Sequence, residues 1–161
     1  MKKLIYTLLI IIVFTNNSFS AGTSSDTSDG SSSYTKAYNL IKAAKKYEKK
    51  GKTEKAQKKY TKAQKLLLKS NKEKPLQADT LNYLGFTTRK LGDYEKGEEF
   101  YLQGLQIEPN HKGINEYLGE LYVVTNRMDM AKGRLKVLQN CNCKEYTELK
   151  EIIDGTKKSK Y

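Results

Sequence analysis

The sequence predicts an all-α fold: a right-handed solenoid of about three helical hairpins, closed by a C-terminal capping helix. Three observations predict it. A skeleton of small and large residues recurs after 34 residues, glycine or asparagine stands at the turn inside each copy, and the last apolar residues recur with helical period. Each copy leaves an apolar face that only a neighbouring copy can cover, so the copies are expected to stack.

Residues 1–20 are predicted to be a secretory signal peptide. Lys2 and Lys3 precede an apolar run over residues 4–14, and Ser18 and Ser20 are small residues suited to a cleavage site. As a helix the run is about 16 Å long, roughly half of a hydrocarbon core, so it is too short for a membrane anchor. We therefore expect cleavage after Ser20, a periplasmic or secreted location, and no transmembrane segment after cleavage.

The rest of the chain divides by composition. Residues 21–33 are Ser, Thr, Gly and Asp with no large apolar side chain, which is typical of a disordered leader. Residues 34–155 form one domain, with hairpins over about 34–74, 75–110 and 111–140 and a capping helix over about 143–155. Residues 156–161 are a basic tail.

The three copies share small residues where two helices meet and large residues opposite them. The middle copy has Leu81, Leu84, Gly85, Gly92, Tyr94, Gly97, Tyr101, Gly104 and Pro109. The third copy has Asn115, Leu118, Gly119, Tyr122, Asn126, Ala131, Leu135 and Leu138. The first copy has Leu40, Ala44, Tyr47, Gly51, Ala56, Tyr60 and Ala63. It lies 41 residues before the middle copy, so seven extra residues are predicted to extend its second helix and loop, with Pro75 in the first turn of the next helix.

This pattern resembles the tetratricopeptide repeat family, in which each unit of 34 residues is a pair of antiparallel helices. Residues 76–153 also resemble small exported bacterial tetratricopeptide proteins that have a cysteine-containing turn and a C-terminal EYxxLK helix. Here that helix reads EYTELK, and Tyr146, Leu149, Ile152 and Ile153 fall on one of its faces, with Gly155 as a stop. The resemblance implies the fold and a protein-binding function, since the first helices of such repeats line a concave groove.

The residues predicted to line this groove lie one, two or three turns apart on the first helix of each hairpin. They are Ile41, Lys45, Glu48, Asn82, Phe86, Arg89, Lys90, Glu116, Glu120 and Val123. Two interpretations of the mixed charges stay open. The cations and acids grip a bound peptide, or Arg89 forms an internal salt bridge with Glu116 or Glu120 that sets the angle between hairpins. Some members of the family bind a terminal carboxylate with a clamp of Lys and Asn side chains, and Asn82 with the nearby cations partly matches that pattern.

Positive charge is concentrated in the first hairpin. Residues 34–74 contain fifteen Lys and three Glu, whereas residues 75–161 contain thirteen basic and thirteen acidic residues. A basic face of this kind can bind an anionic membrane or polymer, or it can be a solvated helix surface. Export argues against nucleic acid as the partner.

No catalytic or metal-binding pattern stands out. His111 is the only histidine in the sequence, which excludes sites built on a histidine pair, and it stands at a turn where a helix-entry role is expected. Cys141 and Cys143 are candidates for a disulfide that staples a turn, with a redox pair as the alternative.

The sequence therefore predicts a non-enzymatic scaffold of the bacterial cell envelope, without cofactor or metal, that holds a protein or peptide in its groove. The alternative function is an electrostatic tether, in which the lysine-rich first hairpin binds an anionic membrane or polymer.

Overall fold

A computed structural model describes residues 32–159, and in this part of the chain the fold is all-α with seven helices and no strand. The predicted signal peptide, most of the predicted leader and the last two residues of the basic tail lie outside the described residues. The helices are α1 Ser33–Lys49, α2 Thr53–Glu73, α3 Ala78–Lys90, α4 Tyr94–Ile107, α5 Lys112–Val124, α6 Met128–Leu138 and α7 Lys144–Ile153.

The first six helices pair into the three predicted hairpins, α1 with α2, α3 with α4 and α5 with α6. The turn inside each hairpin contains a residue with positive φ, namely Gly51 at 67°, Gly92 at 99° and Asn126 at 58°. Glycine adopts this left-handed conformation without a Cβ clash, and asparagine tolerates it better than most residues. The repeated Gly or Asn in the sequence therefore marks the positions where the chain reverses.

The seven extra residues of the first copy lengthen α2, which has 21 residues against 14 in α4. The predicted place of Pro75 is wrong, because α3 begins at Ala78 and Pro75 lies in the preceding loop. The physical reason is next to it: Leu76 has a φ of 58°, which no helix accommodates, so the helix starts only after this turn.

Small residues bring neighbouring helices into close contact. A Cβ added to Gly85 of α3 would lie 2.5 Å from the Tyr101 ring, and one added to Gly104 would lie 2.4 Å from Ile114 Cδ1. These distances are below van der Waals contact, so the Tyr101 ring and the Ile114 side chain occupy the space that a Cβ would take and would have to shift to make room for it. Helix α7 uses the same device, since a Cβ on Gly119 of α5 would lie 2.5 Å from Leu149 Cδ2.

The core runs through the stack in two clusters of buried residues. One joins α1, α2 and α3 around Ile41, Tyr60, Leu67 and Leu84, and the other is formed mainly by α4, α5 and α6. Helix α7 closes the end by packing on α5 and α6, with Leu149 fully buried. A disulfide joins Cys141 to Cys143 in the turn before α7. Within residues 32–159, no helix combines the length and the apolarity that crossing a membrane requires.

Candidate functional site

A pocket of about 490 Å³ opens between α1 and α3, the first helices of the first two hairpins. Four of the residues predicted for the groove line it: Lys45, Glu48, Phe86 and Lys90. The lining also includes Lys49 and Thr53, which the sequence reasoning missed. Lys49 follows Lys45 by one helical turn, and this spacing was the signal that could have found it.

Lys45 is held at the pocket by two aromatic rings. Its Nζ lies 4.4 Å from the centre of the Phe86 ring and 5.4 Å from that of Tyr117, and it donates a hydrogen bond of 3.1 Å to the Tyr117 hydroxyl. An ammonium over aromatic faces is stabilised by the ring quadrupoles, which offsets part of the cost of its partial burial. The sequence reasoning did not select Tyr117, whose ring also packs on Phe86 at 5.1 Å between centroids.

On the other side of the pocket, Lys90 and Glu48 form an ion pair. Lys90 Nζ lies 2.5 Å from Glu48 Oε1, and the Tyr60 hydroxyl donates a hydrogen bond of 2.8 Å to Glu48 Oε2. Burial, together with the Glu48 carboxylate, raises the pKa of Tyr60 above its ordinary value, so this phenol stays a donor. The residues that line the pocket include three lysines, Lys45, Lys49 and Lys90, and one acid, Glu48, which pairs with Lys90.

The other predicted groove residues do not line this pocket. Five of them are buried among the helices: Ile41, Asn82, Arg89, Glu116 and Glu120. Val123 is half-buried and packs at the edge of the second core cluster. Whether any of the ten binds a partner stays a prediction, but the five buried side chains have structural contacts in this fold.

Asn82 is one of the five buried side chains that pack between helices. A Cβ built on Gly113 would lie 2.9 Å from Asn82 Nδ2, so the carboxamide occupies space that a side chain at position 113 would otherwise fill. Asn82 thus lies at the seam between α3 and α5, and not beside Lys45 and Lys90. The partial match of Asn82 and the nearby cations to a carboxylate clamp stays a hypothesis; Asn82 is 4% exposed and does not line the pocket with Lys45 and Lys90.

Arg89 and Glu120 form the internal salt bridge that was one of the two alternatives. Arg89 Nη2 lies 3.2 Å from Glu120 Oε2, and Arg89 Nη1 donates a hydrogen bond of 2.6 Å to the Tyr117 carbonyl. Both charged side chains are 0% exposed. The pair joins α3 to α5 and therefore holds the second hairpin against the third.

Three carboxylates meet next to this pair. Glu116, Glu120 and Glu148 each place an oxygen within 4.8 Å of the other two, which is a spacing that could hold a cation. Two protein cations already lie there, Arg89 on Glu120 and Lys157 at 3.9 Å from Glu148. Because the chain itself supplies positive charge at this seam, we assign the cluster to the packing of α5 against α7.

His111 caps α5, as expected for a residue at helix entry. Its Nδ1 accepts a hydrogen bond of 3.1 Å from the Ile114 N–H, and its Nε2 lies 3.1 Å from Asp79 Oδ1. The capping bond makes Nδ1 the acceptor, so Nε2 carries the proton and donates to Asp79. Both ring nitrogens are thus used to fix the start of the helix.

The chain is similar in fold to solved tetratricopeptide structures. A type III secretion translocator chaperone, SycD of Yersinia enterocolitica, matches with a TM-score of 0.54 at 14% identity, covering 73% of this chain and 81% of the chaperone. The first TPR of Spaghetti (RPAP3) bound to the HSP90 peptide SRMEEVD matches at 0.49 and 21% identity, covering 76% and 94%. The C-terminal TPR-containing domain of a Plasmodium falciparum FK506-binding protein matches at 0.47 and 18% identity, covering 77% and 89%.

No family model matches the chain, and no curated protein matches it. At these sequence identities a similarity to solved structures is evidence for the fold alone. The similarity to SycD agrees with the 34-residue spacing, the three hairpins and the residues of positive φ at their turns, and together these lead to one conclusion: this chain has the fold of a tetratricopeptide repeat protein.

Proposed function

We propose that this chain is a non-enzymatic interaction module that binds an acidic segment of a partner protein in the pocket between α1 and α3. One observation carries the proposal: Lys45, Lys49 and Lys90 line a pocket of about 490 Å³, with Glu48 as the acid among the lining residues. The fold supports it, since the first helices of a helical solenoid present a curved surface suited to an extended or helical peptide.

The chemistry of the lining defines the ligand. Ammonium groups form charge-assisted hydrogen bonds with carboxylates, so Lys45 and Lys49 favour Asp or Glu side chains or a C-terminal carboxylate. The Phe86 ring is only 2% exposed and lies under Lys45, so it positions that ammonium group and does not itself present a surface to the ligand. A basic segment would meet like charges and be rejected, which gives the pocket a preference of sign as well as of shape.

The test uses fluorescent eight-residue peptides that contain Asp, Glu and one Leu, and amide versions in which Asn and Gln replace the acids. Binding to the full chain is measured by fluorescence anisotropy. Lys49→Glu is expected to weaken binding of the acidic peptides about 10-fold, because an exposed charge pair contributes at most about 1 kcal/mol and the reversal replaces attraction by repulsion.

Lys132→Glu is the matched control, since Lys132 is exposed on α6, far along the chain from the pocket, and undergoes the same change of charge. It should leave the affinity within about two-fold, as expected for a distant, screened charge. Equal binding of acidic and amide peptides, or equal effects of the two substitutions, would refute binding of an acidic segment in this pocket.

The proposed setting is the cell envelope. It is supported by the basic and apolar residues at the start of the chain and by the cysteine pair, which suits an oxidising compartment. N-terminal sequencing of the protein from fractionated cells is expected to give a mature chain that begins at Ala21, in the periplasmic or secreted fraction. An intact N-terminus in the cytoplasmic fraction would reject the setting without affecting the pocket.

A further inference from the structure

The outer face of α2 is an unusually dense array of lysines. Seven of them lie on this helix: Lys55, Lys58, Lys59, Lys62, Lys65, Lys69 and Lys72. At about 100° per residue they fall within an arc of roughly 140° and extend over about 26 Å. The buried residues of α2, among them Ala56, Tyr60 and Leu67, lie on the opposite side of the helix. The lysine face therefore points away from the core along its whole length.

Carboxylates of the chain balance little of this charge. Glu54 pairs with Lys58 at 2.5 Å and Glu73 with Lys69 at 3.7 Å, one near each end of the helix. Within residues 32–159, none of the other five lysines has a carboxylate oxygen within 4 Å. The middle of the face thus carries several adjacent positive charges open to a ligand.

Near the start of α2 the face includes a pocket of about 260 Å³, in which Tyr47 of α1 lies among Lys55, Lys58, Lys59 and Lys62. An aromatic ring with a hydroxyl, surrounded by ammonium groups, suits a lipid headgroup, because the lysines take the phosphate and the ring contacts the less polar part. Tyrosine is enriched at the headgroup level of membranes for this reason.

We propose that the outer face of α2 binds flat on an anionic membrane surface, as a peripheral electrostatic contact. A membrane presents its charge over a plane, which matches lysines that are spread in two dimensions. A single linear polyanion would instead follow a narrow line of charges. Within the arc of the lysines Leu66 is the one apolar residue, and it is half-buried against the first core cluster. No exposed apolar side chain interrupts the lysines, so the helix adsorbs at the headgroups and does not insert.

This contact is independent of the pocket between α1 and α3. That pocket is formed by α1 and α3 with Thr53 at the beginning of α2, whereas the membrane contact uses the exposed lysines along α2. Both surfaces can be occupied together, which would hold the peptide-binding pocket close to a membrane.

The experiment measures how the full chain partitions onto vesicles of phosphatidylcholine and onto vesicles of equal parts phosphatidylglycerol and phosphatidylcholine. The ratio of the two affinities isolates the electrostatic part, because an apolar contribution from residues 1–20 affects both. In the test variant Lys55, Lys59, Lys62 and Lys65 are replaced by Gln, which preserves helix propensity. In the control variant Lys112, Lys132, Lys136 and Lys158 are replaced by Gln, so the two variants have equal net charge.

Each lysine near an anionic surface contributes roughly a five-fold gain in affinity, so the test variant is expected to lose about 500-fold of its preference for anionic vesicles. The control variant should lose less than about five-fold. Raising the salt concentration should reduce the preference of the unmodified chain, because exposed charges are screened.

Three results would overturn the proposal. The first is equal binding of the unmodified chain to both kinds of vesicle, and the second is an equal loss in the two variants. The third is a loss of binding to soluble inorganic polyphosphate in the test variant while its binding to anionic vesicles is unchanged, which would assign the face to a soluble polyanion. Acidic-peptide binding, measured in the same variants, reports separately on the pocket between α1 and α3.

Discussion

Removal of Arg89 is expected to destabilise the fold strongly. Its guanidinium lies 3.2 Å from the Glu120 carboxylate and donates a hydrogen bond of 2.6 Å to the Tyr117 carbonyl. Both charged side chains are fully buried. In Arg89→Met the Glu120 carboxylate stays buried, beside those of Glu116 and Glu148. Breaking a buried pair by removing one partner costs about 3–5 kcal/mol. For a domain of this size we expect Tm to fall by about 10–20 °C.

The assay is thermal and urea unfolding of the full chain, followed by circular dichroism at 222 nm. The double variant Arg89→Met with Glu120→Leu removes both charges, and replacing a buried pair by apolar residues is often nearly neutral. We expect it to recover at least about 2 kcal/mol of the loss, a coupling that only residues in contact show.

A loss below about 1 kcal/mol for Arg89→Met, or a double variant no more stable than the single one, would refute the reasoning. Binding of the acidic peptides separates the two roles considered for Arg89. If the folded single variant binds them as the unmodified chain does, Arg89 contributes to stability and not to peptide recognition.

Further expectations concern packing, the disulfide and pH. Gly85→Ala should cost about 1–3 kcal/mol because its Cβ would lie 2.5 Å from a tyrosine ring, whereas Gly133→Ala, with no heavy atom within 4 Å, should gain about 0.5–1 kcal/mol by urea unfolding. Replacing Cys141 and Cys143 by Ser should lower stability by at most about 1.6 kcal/mol, because the closed loop is short. Burial raises the pKa of Tyr122 to about 12, so this tyrosine loses its proton at lower pH in the unfolded chain than in the folded one. The free energy of unfolding should therefore fall as pH rises from about 10 to 12, and tyrosinate absorbance at 295 nm monitors the ionisation.

The hairpins could be predicted because their signals are local. Gly51, Gly92 and Asn126 stand where the backbone needs a positive φ, and that need is a property of a few consecutive residues. The seven extra residues of the first copy were predicted to extend its second helix and the loop after it. The structure places them in the helix, since α2 is seven residues longer than α4. The position of Pro75 was predicted wrongly because the positive φ falls on Leu76, and leucine is not a residue type that signals a positive φ in a sequence.

The site was predicted only in part. Spacing along α1 and α3 placed Lys45, Glu48, Phe86 and Lys90 in the predicted groove, because residues one turn apart share a face, and these four line one pocket. Their binding of a partner stays a prediction. The spacing could not tell that α5 approaches α3 closely enough to bury Arg89.

The sequence by itself determined the repeat, the turns, the order of the helices and the uneven distribution of charge. The tertiary structure decided which charged residues are available to a partner: Glu120 is sealed at a seam between helices, whereas Lys49 remains at the mouth of a pocket. The physical reason is that helical periodicity specifies the face of each helix, but the burial of that face depends on the distance and angle to the next helix. Those are set by contacts such as Gly119 against Leu149, between residues thirty positions apart in the chain.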